Sequence, residues 1–250
     1  MSTDAIIETS ELTKLYNGQA AVENLTFSVN EGEIFGFLGP NGAGKTTTLL
    51  MLLGLTEPSS GTARVLGVDP AREPIKVKSM IGYLQENMGF YEDLNARQML
   101  QFIGKLNSIP ADIIEERITT ALQLVGLDEE MQKKIGAYSR GMRQRLGIAE
   151  LLIKDSKVAF LDEPTLGLDP DATNRMIELI QNLCRDKNMT ILLSSHMLHQ
   201  VQKICHRIGI MIKGRMVAQG AMDDLAQEKF GVGKDKYTLE EIYMKYFQEA

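Results

Sequence analysis

Gly39-Pro40-Asn41-Gly42-Ala43-Gly44-Lys45-Thr46 is a complete G-x-x-x-x-G-K-[ST] phosphate loop. Its flanks fix how the surrounding chain must run. Before it, Glu33–Leu38 (EIFGFL) is an apolar run of strand length; after it, Thr47–Leu53 (TTLLMLL) reads as a helix. Strand, loop and helix in that order are the context in which the motif counts as a site. Glycines at 39, 42 and 44 allow backbone conformations closed to other residues. The loop amides then face an anion at the positive end of the new helix. Lys45 adds a full charge toward the β- and γ-phosphates, and the Thr46 hydroxyl is placed to hold Mg²⁺. Gly39, Pro40, Asn41, Gly42, Ala43, Gly44, Lys45, Thr46 and Thr47 are therefore the expected nucleotide-binding residues, and the ligand a nucleoside triphosphate.

The chain of 250 residues is long enough for one large core, or for a core with a subdomain. Its net charge of −6 argues against a nucleic-acid binder, which carries a basic footprint. No apolar stretch approaches the length of a membrane span, and Met1–Ala5 has neither a basic region nor a signal-peptide core. A cytosolic protein is expected, with any membrane role coming through a partner. Cys184 and Cys205 are too few for a disulfide framework and lack metal-ligand spacing, so both are read as reduced and at least half-buried.

From Ala5 to Glu33 apolar and polar residues alternate, with Asn17-Gly18 as a hairpin turn, and 61–68 reads as a further strand. An antiparallel sheet is expected there. Buried parallel strands read instead as short continuous apolar runs. Three follow the phosphate-loop strand, at Met80–Leu84, Val158–Leu161 and Thr190–Leu193; Arg207–Ile212 is another, with a turn at Lys213-Gly214. Between Glu86 and Asp155 the pattern is helical, over Ala96–Leu106, Ile113–Val125 and Gly141–Ile153. The last of these puts Met142, Leu146, Ala149 and Ile153 on one face. After Gly220 come a short helix, a break at Gly231–Gly233, and an amphipathic helix over Thr238–Phe247.

Val158–Leu161 ends in Asp162-Glu163. An α/β sheet places its ligands beyond the carboxyl ends of such strands. Asp162 is expected to hold Mg²⁺, directly or through water, and Glu163 to polarise an attacking water. Alone, the same pair would be a solvated strand end; after a phosphate loop it reads as the second half of a site.

Together these residues resemble the ATP-binding-cassette ATPases over nearly the whole chain. Tyr138-Ser139-Arg140-Gly141-Met142 looks like the family's signature sequence after the helical insertion. Gln85 resembles the glutamine that contacts metal and water, Gly167-Leu168-Asp169 the loop that touches the opposite subunit, His196 the switch histidine, and Tyr16 the aromatic that stacks on adenine. The resemblance implies an α/β phosphate-loop NTPase core with an N-terminal antiparallel β subdomain (1–85 with 156–220) and an inserted all-helical subdomain (86–155), followed by a helical tail (221–250). It also implies a head-to-tail dimer binding ATP and Mg²⁺. Glu163, His196, Lys45 and Gln85 would be catalytic; Thr46, Gln85 and Asp162 would serve the metal. Ser139 and Gly141 would contact the nucleotide in trans, with Asp169 at the dimer interface.

The commonest signature is Leu-Ser-Gly-Gly-Gln, and Tyr138, Arg140 and Met142 depart from it. The departures resemble the prokaryotic drug, antibiotic and sodium exporters, whose ATPases pair with a separate membrane subunit. That subunit would dock near Met88, Phe90 and Tyr91, three large side chains in a loop where polar residues are expected. The chain would then lie peripherally on the inner face of the cell membrane. Two other readings stay open: a soluble cassette ATPase that remodels a cytosolic complex, and a phosphate-loop kinase. His199 and His206 read as helix-surface residues, and Tyr16 could instead only cover the edge of the N-terminal sheet.

Overall fold

The two periodicities of the sequence settle into two separate sheets in the computed structural model, which describes residues 5–231 and 237–249. Met1–Asp4 and residues 232 and 233 of the expected break lie outside those residues. The alternating stretch gives β1 (Ala5–Tyr16) and β2 (Gln19–Asn30), an antiparallel pair whose turn residues Asn17 and Gly18 have φ of 50° and 79°. β3 (Ile34–Leu38) leads into the phosphate loop, and β4 (Ser60–Val65) pairs with the free edge of β1. The strand expected over 61–68 stops short. Leu66 and Gly67 turn with φ of 53° and 76°, and Val65 pairs with Val68 across them. A leucine in a left-handed turn carries no turn signal in sequence.

The larger sheet adds β5 (Ile81–Leu84), β6 (Val158–Asp162), β7 (Thr190–Ser195), β8 (Arg207–Ile212) and β9 (Arg215–Gly220), in the order β5-β6-β7-β3-β8-β9. All neighbours are parallel except the β8–β9 hairpin, which turns at Lys213 and Gly214. β3, β6 and β7 are buried along their whole length, which is why they read as unbroken apolar runs. β9 escapes that reading because it is a half-exposed edge strand with no such run.

α1 (Lys45–Leu52) follows the phosphate loop. α2 (Pro74–Met80), which no periodicity announces, takes Met80 out of the expected strand. The insertion holds α3 (Ala96–Leu106), α4 (Ala111–Leu124) and α5 (Arg140–Ile153), without a strand among the described residues. Asn95 starts α3 through a capping box: its side chain accepts from the Gln98 amide at 2.9 Å, and the Gln98 side chain accepts from the Asn95 amide at 3.0 Å. On α5, Leu146, Ala149 and Ile153 are buried and Met142 half-buried. α6 (Pro170–Lys187) and α7 (Leu198–Ile204) cover the sheet beyond β6 and β7. His206 is not on a helix; it lies in the loop before β8, and its Nδ1 accepts from the Ile34 amide at 3.0 Å.

One hydrophobic core joins the larger sheet to the inserted helices; the other lies between the two sheets with α1, around Phe27, Phe35 and Phe37. The tail forms α8 (Met222–Phe230), ended by Gly231 at φ 68°, and α9 (Leu239–Glu249). Leu225, Leu239, Ile242 and Tyr246 bury in the first core. Cys184 and Cys205 are free thiols, one buried and one partly so. No helix among the described residues is long and apolar enough to cross a membrane.

The loop after β5 differs from the expected trio of exposed side chains. Met88 and Phe90 are half-buried against the core. Met88 also fills the space beside Gly147, where an added Cβ would meet its sulfur at 2.3 Å. Tyr91 remains 59% exposed, edge-on to Phe102 with ring centroids 5.5 Å apart.

Candidate active site

Strand register brings the separated motifs to one line. Asp162 pairs with Ser194, and Leu38 pairs with Ser195. The phosphate loop, the Asp162-Glu163 pair and His196 therefore leave the carboxyl ends of three adjacent strands, the position where open α/β sheets bind ligands. The loop needs glycine at two points for lack of room. A Cβ on Gly39 would lie 2.2 Å from the Met211 carbonyl oxygen, and one on Gly44, at φ 99°, 2.5 Å from that of Ala21. Gly44 starts α1 without a side-chain cap, so the first amides of the helix are left for a ligand.

These residues border a hollow of about 560 Å³, lined by Asn41, Gly42, Ala43, Gly44, Lys45, Thr46 and Thr47, with Tyr16, Glu163 and His196. Inside it the charged groups hold one another. Lys45 Nζ donates to the carbonyl oxygens of Gly39 (2.7 Å) and Pro40 (3.2 Å) and lies 3.5 Å from Glu163 Oε1. The other Glu163 oxygen lies 3.0 Å from His196 Nδ1. The Thr46 hydroxyl meets both Asp162 carboxylate oxygens, at 3.0 and 3.2 Å. Ser194 Oγ donates to Asp162 and accepts from the Glu163 amide at 3.1 Å, so one hydroxyl orients both carboxylate residues. Glu163 sits at φ 49°, a left-handed conformation uncommon for a residue with a side chain. It is held there by its amide contacts to Ser194 Oγ and, at 3.2 Å, to the Ser194 carbonyl.

Two buried carboxylates face one buried ammonium, with Asp162, Glu163 and Lys45 exposed by 3, 6 and 6%. A polyphosphate entering beside them adds further negative charge, which a divalent cation would offset. Thr46 and Asp162 supply adjacent hard oxygen donors of the kind Mg²⁺ takes together with phosphates. The negative field is felt at Tyr83, whose phenol is pushed up to about 12 by burial first and then by Asp162 and Glu86.

Gln85 is exposed at the end of β5, and it is Glu86, a residue sequence reasoning passed over, that lines the hollow. Ser194 was also missed; its signal is the change to polar residues at the end of an apolar strand. Tyr16 lines the hollow at 47% exposure, with Lys14 Nζ 5.0 Å from its ring centroid. Ser139, Gly141 and Asp169 lie elsewhere, around a second hollow of about 120 Å³. Ser139 caps α5, accepting from the Met142 amide at 3.2 Å, and Asp169 caps α6, accepting from the Ala172 amide at 2.8 Å. Tyr138 is buried, its hydroxyl donating to the Glu130 carbonyl at 2.8 Å, which accounts for an aromatic at the first signature position. The two hollows share no lining residue. The loop after β6 runs between them: Glu163 and Leu166 border the first, Gly167, Leu168 and Asp169 the second.

The sequence model of the ABC transporter family matches residues 22–166. The bacitracin transport ATP-binding protein BcrA of Bacillus licheniformis is 41% identical over 225 residues, 90% of this chain and 72% of that protein. The linearmycin resistance ATP-binding protein LnrL of Bacillus subtilis is 35% identical over 226 residues, again 90% and 72% of the two chains. Among solved structures, an ATP-binding subunit of an ABC transporter superposes with a TM-score of 0.86 at 30% identity, covering 97% of this chain and 99% of that one.

Proposed function

The chain belongs to the ABC transporter family, and we propose that it powers an exporter whose membrane-spanning subunit is a separate protein. It binds ATP and hydrolyses it to ADP and phosphate. The names of the two relatives tie those proteins to bacitracin transport and linearmycin resistance, which supports a cargo of the antibiotic type.

The observation that carries the mechanism is the separation of the two hollows. A single chain has a phosphate loop, a base and a metal site, but its own signature residues border a different hollow. A second copy placed head to tail would bring Ser139 and Gly141 over the phosphates. Both stand at the N-terminal end of α5, where amides favour an anion. Glu163 would take a proton from the attacking water, held for that task by His196. Mg²⁺, bound by Thr46 and Asp162, would neutralise charge on the phosphates. Phosphoryl transfer needs mainly positioning and charge stabilisation, which closure of the dimer would complete. Phosphate release from ATP with no acceptor present tests the hydrolytic part; a kinase would show none. Co-purification of a multi-span membrane protein from native membranes tests the transporter part, and its absence would favour the soluble reading.

Tyr16 would stack on the base. Stacking is worth about 1–3 kcal/mol and tolerates any base. Tyr16→Ala is therefore expected to weaken ATP binding by that amount, with Tyr16→Phe close to the parent and GTP bound nearly as well as ATP. A strong preference for ATP in a competition titration would show that another residue reads the base.

The membrane subunit would dock at Tyr91, now read with Phe102 as its neighbour rather than with Met88 and Phe90. Tyr91→Asp is expected to leave folding and the ATPase rate of the isolated chain within about twofold, since surface changes are usually small. It should abolish co-purification with the membrane subunit. Retained transport in the substituted complex would place the docking surface elsewhere.

A further inference from the structure

Arg140 holds the third signature position, and the fold gives it a specific setting. Its guanidinium lies against the neighbouring loop: a Cβ built on Gly167 would stand 3.1 Å from Cζ, Nε and Nη1. Gly167 also has φ 71°, so a side chain there is barred by conformation and by the arginine. The loop has glycine where the guanidinium needs room.

The other arginines nearby have acceptors. Arg143 donates to Glu92 at 3.1 Å, Arg175 pairs with Asp171, and Arg145 donates to the Val125 and Gly126 carbonyl oxygens at 2.9 and 2.7 Å. Among the described residues no carboxylate pairs with Arg140, and its side chain is exposed at the mouth of the second hollow. Arg145 and Arg175 border the same hollow, as do the N-terminal ends of α5 and α6. The crowding of positive charge is felt at Arg145, held below its ordinary range by burial first and by Arg175 second. Asp169 is the acid that borders the hollow, and one of its oxygens is engaged with the Ala172 amide. Two helix N-termini and a guanidinium with no carboxylate partner among the described residues give this notch a surplus of positive charge over the single Asp169 carboxylate.

We propose that Arg140 donates its free N–H groups to a terminal phosphate oxygen of the ATP held by the facing subunit. It supplies the charge-assisted contact that a methionine at position 142 cannot make. The proposal rests on the head-to-tail dimer. The guanidinium already lies beside Gly167, in the loop that follows Glu163, before the nucleotide arrives.

The test uses the full chain carrying Glu163→Gln, so that hydrolysis does not disperse the dimer, with Mg²⁺ and ATP. Arg140→Ala should raise the ATP concentration for half-dimerisation by about tenfold or more, the scale of a lost charged hydrogen bond. Arg140→Lys should recover part of it. Binding of a fluorescent ATP analogue to the monomer should not change, because the phosphate loop is untouched. Added salt should weaken the parent dimer more than the Arg140→Ala dimer. Arg140→Met keeps the apolar stem of the side chain without its charge, and carries the same test if alanine loosens the loop. Half-dimerisation at the parental ATP concentration with the parental salt response would overturn the proposal and leave the guanidinium as a cover for Gly167. No ATP-driven dimer in the Glu163→Gln parent itself would overturn the dimer reading and this proposal with it.

Discussion

A Glu163→Gln chain is expected to bind ATP and stop there. Turnover should fall by a factor on the order of 10² or more, the usual loss when a general base is removed. The geometry explains why binding survives. Glu163 is buried between Lys45 at 3.5 Å and His196 at 3.0 Å. Glutamine fills the same volume and can still meet His196, but it cannot take a proton from water. It also removes one of two carboxylates that crowd the phosphates, so electrostatic repulsion against the bound nucleotide falls. ATP should persist, and a dimer that closes on it should accumulate. Phosphate release followed beside light scattering on a sizing column separates the two effects. Hydrolysis at the parental rate would remove Glu163 from the role of base and turn the search to Glu86 and His196, which also line the hollow.

The parts of this site that sequence carries are those set by local chemistry. The phosphate loop is read from its own residue spacing and flanks, and the buried strands β3, β6 and β7 carry continuous apolar runs, with the polar residues of β6 and β7 confined to their ends. Other parts depend on what lies across space. Gln85 and Glu86 are consecutive polar residues at the end of β5, and nothing local says which of them faces the hollow. Ser194 matters only because register sets it beside Asp162. Met88 and Phe90 look exposed in sequence because their loop is polar around them, yet Gly147, far along the chain, leaves the space that Met88 fills. Arg140 likewise has no meaning without Gly167. In each case the missing information is a contact between distant residues, which periodicity does not encode.

Lys45→Ala is expected to fail at an earlier step, losing nucleotide affinity together with turnover. Lys45 is a buried cation that touches Gly39, Pro40 and Glu163 before any nucleotide arrives. Among the described residues that line the hollow, this ammonium is the lysine or arginine group that can turn toward the phosphates when ATP is present. Each hydrogen bond to a charged group is worth about 1.5–3 kcal/mol, so affinity should drop by roughly 10- to 100-fold. Stability should suffer as well. Truncating one partner of a buried pair leaves the other charge uncompensated, at a cost of ~3–5 kcal/mol. That charge is Glu163, and the second substitution separates the two effects. Adding Glu163→Gln to Lys45→Ala neutralises the stranded carboxylate and should restore most of the melting temperature. It should restore little of the ATP affinity, because the phosphates still lack their cation. Additive losses in melting, with no recovery in the double variant, would mean that Lys45 and Glu163 do not act as a pair in the nucleotide-free chain.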